Sequence, residues 1–301
     1  MSISFSHIIN PFSAPPGSEH GTASKITFAS LRRAVEEARR AGMVVEVRAV
    51  VLPGDEHAIE SPASLSQLLT RTVQNVRTLR PVRPLPLISD ILNKGADGAC
   101  GDYLIFTNMD IAVQPHFYIG LRDLVLNRFT YGVPFIVYRR NIDSRFKRVE
   151  QLSEMYTAEG VLAYGNDCFV FPSAYVRQLD LGNCCIGSGH FDDLLFMALD
   201  AISGFRMECV GNVALTFHIG NEIDWVRHID YIEHNLREAL AAIRRMRLRY
   251  DVPPQSGFAR LERNHFRRNA RIDSLLFRRF KRLPGVGKVV HKVKKWLGRS
   301  Y

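Results

Sequence analysis

The chain has 301 residues, 46% of them hydrophobic, which is enough for one large domain or one domain with an appendage, and its formal net charge at pH 7 is +10. No apolar run reaches the ~20 residues that a membrane-spanning helix needs. The N-terminus lacks the basic region and long apolar stretch of a signal peptide.

The positive charge is concentrated at the C-terminal end. Residues 258–301 contain fourteen Lys or Arg and two acids, a net charge of +12, so the other 257 residues carry 10 − 12 = −2. A near-neutral body does not indicate nucleic-acid binding. The cysteines are odd in number and lack CxxC spacing, which favours buried free thiols in a reducing cytoplasm over a zinc site or disulfide framework. They are Cys100, Cys168, Cys184, Cys185 and Cys209.

The first hundred residues have a βαβ pattern. Residues 2–10 are predicted as a strand, residues 28–41 as a helix with one apolar face, and residues 44–52 as a second strand. Such a unit is normally right-handed. Residues 64–78 are predicted as a helix, whereas the prolines of residues 80–86 favour an extended loop.

The most informative stretch follows a short predicted helix. Tyr103 to Phe106 form a short apolar run, as in a strand buried on both faces of a mostly parallel sheet. Asp110 comes directly after its carboxyl end, where ligands collect in open α/β sheets. A carboxylate there suits a hard divalent cation that also holds a diphosphate. The alternative is a solvated Asp in a turn.

Further elements follow at similar spacing. A helix is predicted over residues 115–127 and a strand over residues 135–138, and the two arginines that follow, Arg139 and Arg140, are interpreted as a solvated strand end rather than a phosphate contact. A polar turn containing Asp167 then precedes another apolar strand, and this turn either lines a pocket or is closed by a bond from Asp167 to its own backbone.

A glycine-rich loop then opens an amphipathic helix whose first turn contains Asp192 and Asp193. Acids at this position stabilise any helix through its dipole. The functional alternative is that one of them is a base that deprotonates an acceptor hydroxyl. Strand-like segments over residues 205–217 lead to His218, which is either structural or a metal ligand through a neutral imidazole.

The central stretch resembles the nucleotide-sugar half of GT-A-type glycosyltransferases, over residues 1–225. The runs that carry the resemblance are Leu92-Asn93-Lys94-Gly95, Gly101-Asp102-Tyr103-Leu104-Ile105-Phe106 and Asn108-Met109-Asp110. Asp110 matches the second acid of the D-x-D motif of these enzymes, which binds the metal that bridges the phosphates. Asn108 stands where the first acid usually is, and it is a neutral and weaker ligand.

This resemblance implies an α/β fold, with a central mixed, mostly parallel sheet flanked by helices and a basic helical C-terminal extension. It implies a UDP-sugar donor, Mn²⁺ or Mg²⁺ as the metal and transfer with inversion, with a retaining route as the alternative if neither Asp192 nor Asp193 is placed to act as the base. Asp193 is the better candidate for the base, with Asp192 as the alternative. The implied metal ligands are Asp110 and His218. The implied donor-binding residues are Asn10, Pro11, Asn93, Lys94, Asn108 and Asp110, and the implied acceptor-binding residues are Asp167 and His190.

The chain is divided into a transferase domain over residues 1–225, a helical extension over 226–257 and a basic amphipathic tail over 258–301. Basic residues interleaved with apolar and aromatic ones suit the anionic inner face of a membrane. This favours a cytoplasmic, peripheral protein with a glycan or lipid-linked acceptor. A solvated tail, or one that binds nucleic acid without sequence preference, is the alternative.

Two other functions are compatible with the same predicted fold. A sugar nucleotidyltransferase would carry a glycine-rich loop with Lys or Arg after the first strand, and residues 10–24 contain neither. A membrane-associated binding or scaffold protein on a decayed transferase domain is compatible with Asn108.

Overall fold

The computed structural model describes residues 3–15, 17–79, 83–220 and 229–267. The strands, in chain order, are Phe5–Ile9 (β1), Val45–Val51 (β2), Ala63–Leu68 (β3), Tyr103–Thr107 (β4), Ala112–Val113 (β5), Phe135–Val137 (β6), Arg139–Ile142 (β7), Gly160–Ala163 (β8), Cys168–Pro172 (β9), Glu208–Val210 (β10) and Thr216–Ile219 (β11). The α-helices are Glu19–Arg40 (α1), Val73–Val76 (α2), Ile88–Ala96 (α3), Phe117–Asp123 (α4), Leu152–Thr157 (α5), Phe191–Ile202 (α6), Ile229–Arg249 (α7) and Gly257–Leu261 (α8).

A seven-stranded sheet in the order β10-β6-β9-β4-β1-β2-β3 forms the centre of the molecule. The pairs within β4-β1-β2-β3 and the pair β10-β6 are parallel, whereas β9 runs antiparallel to both of its neighbours. The predicted mixed, mostly parallel sheet is confirmed. The strands β1, β4 and β9 are buried along their whole length, as their continuous apolar character predicts.

Helices cover both faces of this sheet. One core packs α3, α6, α7 and α8 against it, and a second core packs α1 and α4 against the other face. A smaller sheet in the order β5-β11-β7-β8 extends from the carboxyl end of the main one. Only Tyr138 separates β6 from β7, so the chain passes directly from one sheet to the other.

The Gly-Asp pair before β4 has a structural role. A Cβ at Gly101 would collide with the backbone of Ser6 on β1. The Asp102 carboxylate accepts hydrogen bonds from the backbone N of Ser4 at 2.9 Å and from its Oγ at 2.8 Å. The pair therefore fixes β4 beside β1 at the end of the strand opposite to Asp110.

Two predicted elements differ from the structure. The helix predicted over residues 64–78 is wrong: the strand β3 and the four-residue helix α2 lie there. β3 pairs with β2 at the sheet edge, and this non-local pairing outweighs the local pattern. The helix α1 begins earlier than predicted because the Oγ of Ser18 accepts the backbone N–H of Gly21 and caps it.

The C-terminal extension continues beyond residue 257, where the tail was predicted to begin. A π-helix, Glu262–Arg267, continues α8, and Phe258 and Phe266 are fully buried. The remainder of the predicted tail lies outside the described residues. Among the residues described, none of the helices combines the length and apolarity that crossing a bilayer requires. All five cysteines are free, but Cys100 is exposed rather than buried.

Candidate active site

Asp110 and His218 meet at the carboxyl end of the main sheet. Asp110 follows β4 and His218 lies on β11, and 3.5 Å separates Asp110 Oδ2 from His218 Nε2. The other ring nitrogen, Nδ1, lies 3.0 Å from the carbonyl oxygen of Gly220, which can only accept a hydrogen bond. Nδ1 therefore carries a hydrogen, and Nε2 is the ring nitrogen that faces the carboxylate. Nε2 can donate to Asp110 when the ring is protonated and can bind a cation when the ring is neutral.

This pair has the chemistry of a partial cation site. Asp110 Oδ1 is buried without a hydrogen-bond partner, and an ion would satisfy it. Burial alone would raise the pKa of Asp110, but His218 and the charge of Arg139 outweigh it, so the pKa lies below its usual value. No group of three or more potential His, Cys, Asp or Glu ligands occurs in the described ranges. One oxygen and one nitrogen ligand suit an ion that takes its remaining ligands from a substrate.

A second polar group explains why an amide stands at position 108. Asn108 Nδ2 donates a hydrogen bond to Asp167 Oδ1 at 2.9 Å, and the guanidinium of Arg139 pairs with Asp167 Oδ2. Burial raises the pKa of Asp167, while Arg139 opposes that rise. An acid at position 108 would face the carboxylate of Asp167 in a partly buried setting. The negative charge missing at Asn108 is thus present nearby on Asp167.

The beginning of α1 lies close to the same carboxylate. Burial lowers the pKa of His20, and the charge of Asp110 opposes this while that of Arg83 adds to it, so His20 lies within electrostatic reach of Asp110, and Arg83 within reach of His20. Arg83 also lies over the ring of Phe12, 5.5 Å from its centroid, and the ring of His20 is 5.7 Å from that of Phe12. This edge therefore carries basic and aromatic groups beside the carboxylate.

The two acids at the start of α6 have different surroundings. Asp193 is buried, with Asn166 Nδ2 at 3.3 Å from its Oδ1 and His265 Nδ1 at 2.7 Å from its Oδ2. Burial, together with the charges of Asp193 and Asp167, raises the pKa of Asp192 to about 7. For Asp193, the two neighbouring donors, Asn166 and His265, are suited to hold a carboxylate. Because Asn166 adjoins Asp167, both polar groups belong to one site.

His190 connects the start of α6 with the C-terminal segment. It precedes the helix with φ at 79°, in the left-handed region that few residues other than glycine adopt. Its ring lies 5.4 Å from that of Phe266. The predicted acceptor-binding role of His190 stays a prediction.

Four residues predicted to bind the donor lie outside this cluster: within the described chain, no contact joins them to it. They are Asn10, Pro11, Asn93 and Lys94. Asn10 is buried and its amide donates to the carbonyl oxygen of Val50 at 2.5 Å, which ties the ends of β1 and β2 together. Asn93 is exposed on α3, and Lys94 Nζ lies 3.3 Å from Gln67 Oε1. Pro11 is buried beside Asn10. Their donor-binding roles stay predictions.

The sequence did not assign three residues of the cluster to the site. Arg139 is a partner of Asp167 rather than part of a solvated strand end, and its side chain is 19% exposed. Asn166 stands in the recognised polar turn, whereas no local pattern marks His265, which reaches Asp193 across 72 positions. Residues 221–225, for which the sequence allows a flap over the donor site, lie outside the described residues.

The fold is similar to that of a solved enzyme structure with bound UDP-GlcNAc. S. aureus TarS 1–349 in complex with UDP-GlcNAc matches with a TM-score of 0.51 and 12% identity, over 89% of this chain and 75% of that chain. M. tuberculosis glucosyl-3-phosphoglycerate synthase gives a TM-score of 0.44 and 13% identity, over 84% of this chain and 82% of its own. A mutant of Drosophila beta1,4-galactosyltransferase 7 with manganese, UDP-Gal and xylobiose gives a TM-score of 0.42 and 12% identity, over 77% of this chain and 79% of that chain. No protein-family model and no curated protein matches the sequence. The fold is of the GT-A type.

Proposed function

We propose that this chain, which has the fold of the GT-A-type glycosyltransferases, is a metal-dependent, inverting transferase that moves a sugar from a UDP-sugar to a hydroxyl group of a glycan or lipid-linked acceptor. The main support is that two chemically different groups of side chains lie at the same edge of the sheet. Asp110 and His218, here called the cation pair, suit a metal and a diphosphate. Asp193 suits proton removal from an acceptor.

The cation pair would hold Mn²⁺ or Mg²⁺ through one carboxylate oxygen and one imidazole nitrogen. When bound, the ion supplies Lewis-acid stabilisation of the negative charge that develops on the departing diphosphate. His20 adds a basic group beside the cation pair, and Arg83 lies beside His20, from where both would meet the phosphates. The UDP-GlcNAc bound to TarS, the structural neighbour with a TM-score of 0.51, supports a UDP-sugar as donor.

Asp193 would act on the acceptor. Its carboxylate takes the hydroxyl proton as the acceptor oxygen forms a bond to the anomeric carbon of the sugar. The bond from that carbon to the diphosphate breaks, and its electron pair leaves with the nucleoside diphosphate. Attack on the face opposite the leaving group inverts the anomeric configuration. We choose Asp193 over Asp192 as the base because Asn166 and His265 hold the two oxygens of the Asp193 carboxylate.

The basic tail would bring the enzyme to its acceptor. Residues 268–301, which follow the described chain, contain eleven Lys or Arg and one acid, a net charge of 11 − 1 = +10. Each basic residue near an anionic leaflet contributes about 1 kcal/mol, so several suffice for reversible docking. A lipid-linked or surface-polysaccharide acceptor is consistent with that location.

The proposal is tested by measuring the melting temperature with UDP-, GDP-, CMP- and dTDP-sugars, with and without Mn²⁺. We expect stabilisation by a UDP-sugar that depends on Mn²⁺. At a ligand concentration of 100 times Kd, linkage predicts about 2.7 kcal/mol. No shift with any nucleotide sugar, on well-folded protein, would contradict the donor assignment and favour a decayed binding scaffold.

The cation pair is tested by Asp110→Ala, with the exposed Asp251→Ala as the matched control. We expect Asp110→Ala to abolish the Mn²⁺-dependent part of the shift and Asp251→Ala to keep it. Unchanged Mn²⁺ dependence in Asp110→Ala would remove Asp110 from the site.

A further inference from the structure

The C-terminal segment supplies a side chain to the acid proposed as the base. His265 lies on the π-helix that follows α8, and its Nδ1 is 2.7 Å from Asp193 Oδ2. Nδ1 is the donor in this contact, since a carboxylate only accepts. The His265 side chain is 50% exposed, whereas that of Asp193 is 12% exposed. The imidazole therefore covers one oxygen of an otherwise buried carboxylate.

Packing on both sides of His265 holds this contact in place. Phe266 and Phe258 are fully buried, and the backbone N of Phe258 donates to Asp200 Oδ2 on α6 at 2.8 Å. The carboxylate of Glu262 pairs with Arg247 of α7. The segment is therefore anchored both to α6, which carries Asp193, and to α7, and His265 is not a freely moving surface side chain.

The two donors around Asp193 restrain its carboxylate. Asn166 contacts Oδ1 from the turn before β9 and His265 contacts Oδ2 from the C-terminal side. A carboxylate held on both oxygens cannot rotate about its terminal bond without losing a hydrogen bond. The acids facing His265 are Asp193 and Asp192, and the hydrogen bond to Asp193 raises the pKa of His265 although burial opposes this. The contact therefore persists as the ring gains a proton.

We propose that His265 is a positioning residue that orients the Asp193 carboxylate towards the acceptor hydroxyl. This inference rests on the proposed function, in which Asp193 is the base. His265 acts through Asp193 and does not itself take the hydroxyl proton. The extension after the GT-A-type domain thus completes the acceptor side of the site.

The test compares His265→Ala, His265→Asn and His265→Gln in the full chain. The amide nitrogen of Asn occupies the place of Nδ1, whereas that of Gln lies nearer to the place of Nε2. Turnover is followed as UDP release from the UDP-sugar that gives the largest thermal shift, with water as the acceptor. Asn264→Ala, an exposed change on the same turn, is the matched control.

We expect His265→Ala to lower kcat by about 10- to 100-fold, the order of loss produced by a misplaced catalytic group. KM for the donor and the Mn²⁺-dependent thermal shift should stay unchanged. His265→Asn should recover most of the rate and His265→Gln should not. If His265→Asn is as slow as His265→Ala, or if His265→Ala is fully active, the proposal is overturned.

A second readout does not depend on turnover. The pKa of the His265 imidazole, followed by NMR and assigned from the spectrum of His265→Asn, should fall in Asp193→Asn. An unchanged pKa would show that the contact does not exist in solution and would also overturn the inference. Absence of nucleotide-sugar binding in the wild type would instead contradict the proposed function, so the two failures are distinguishable.

Discussion

The donor and acceptor sides of the candidate site are built in different ways. On the donor side, Asp110 and His218 stand at strand ends, and hydrogen bonds within the sheets set their positions. On the acceptor side, Asp193 begins a helix and is held by Asn166 from a turn and by His265 from the C-terminal extension. Under the proposed function, donor binding therefore depends on the central domain, whereas orientation of the proposed base, Asp193, also depends on how the extension packs.

Asp193→Asn tests the difference between the two sides most directly, and we expect it to cause the largest loss of transfer activity. The amide keeps the size of the side chain but cannot accept the hydroxyl proton, so transfer should fall by about 10²- to 10⁴-fold. Thermal stabilisation by donor and Mn²⁺ should be retained, because the cation pair is untouched. Full activity would move the role of base to Asp192 or elsewhere, and loss of donor binding would break the division between the two sides.

A smaller effect, on stability, is expected from Asn108→Asp on the donor side. The new carboxylate would replace a donor that lies 2.9 Å from Asp167 Oδ1. Loss of a hydrogen bond to a charged acceptor costs about 2 kcal/mol, which lowers Tm by roughly 3 °C in a chain of this size. The measurement is thermal unfolding near neutral pH in the presence of EDTA.

Asn108→Ala, which removes the donor without adding a charge, is the control for this change. It should be more stable than Asn108→Asp, because two partly buried carboxylates at this distance repel each other. If Asn108→Asp melts at the wild-type temperature, Asp167 does not determine the residue type at position 108.

The smallest effect on the site itself is expected from truncation after residue 267. This cut keeps Phe258, His265 and Phe266, which a cut at 258 would remove together with part of the core. Donor binding and Tm should stay close to those of the full chain, while sedimentation with phosphatidylglycerol vesicles should be lost. Phosphatidylcholine vesicles are the control, and a truncated chain that still sediments with anionic vesicles would refute the membrane role of the tail.

Local patterns in the sequence were sufficient for much of the fold. The apolar run Tyr103 to Phe106 predicted a strand buried on both faces, and the structure has β4 there. The glycine-rich loop before Asp192 and Asp193 likewise predicted the start of α6. The resemblance to GT-A-type enzymes then predicted the mixed sheet, and the structure brings Asp110 and His218 to one place. These features depend on neighbouring residues and on chain order, which a sequence displays directly.

Only the tertiary structure decided the partners of these residues. Asn108 was a departure from a motif in the sequence, and it is the hydrogen-bond donor of Asp167 in the structure. The edge strand β3 replaced a predicted helix because its partner strand lies elsewhere in the chain. His265 stood in a segment with the composition of a membrane-docking tail, yet packing of Phe258 and Phe266 directs it to Asp193. Contacts between distant residues depend on how whole elements pack, and no local periodicity records them.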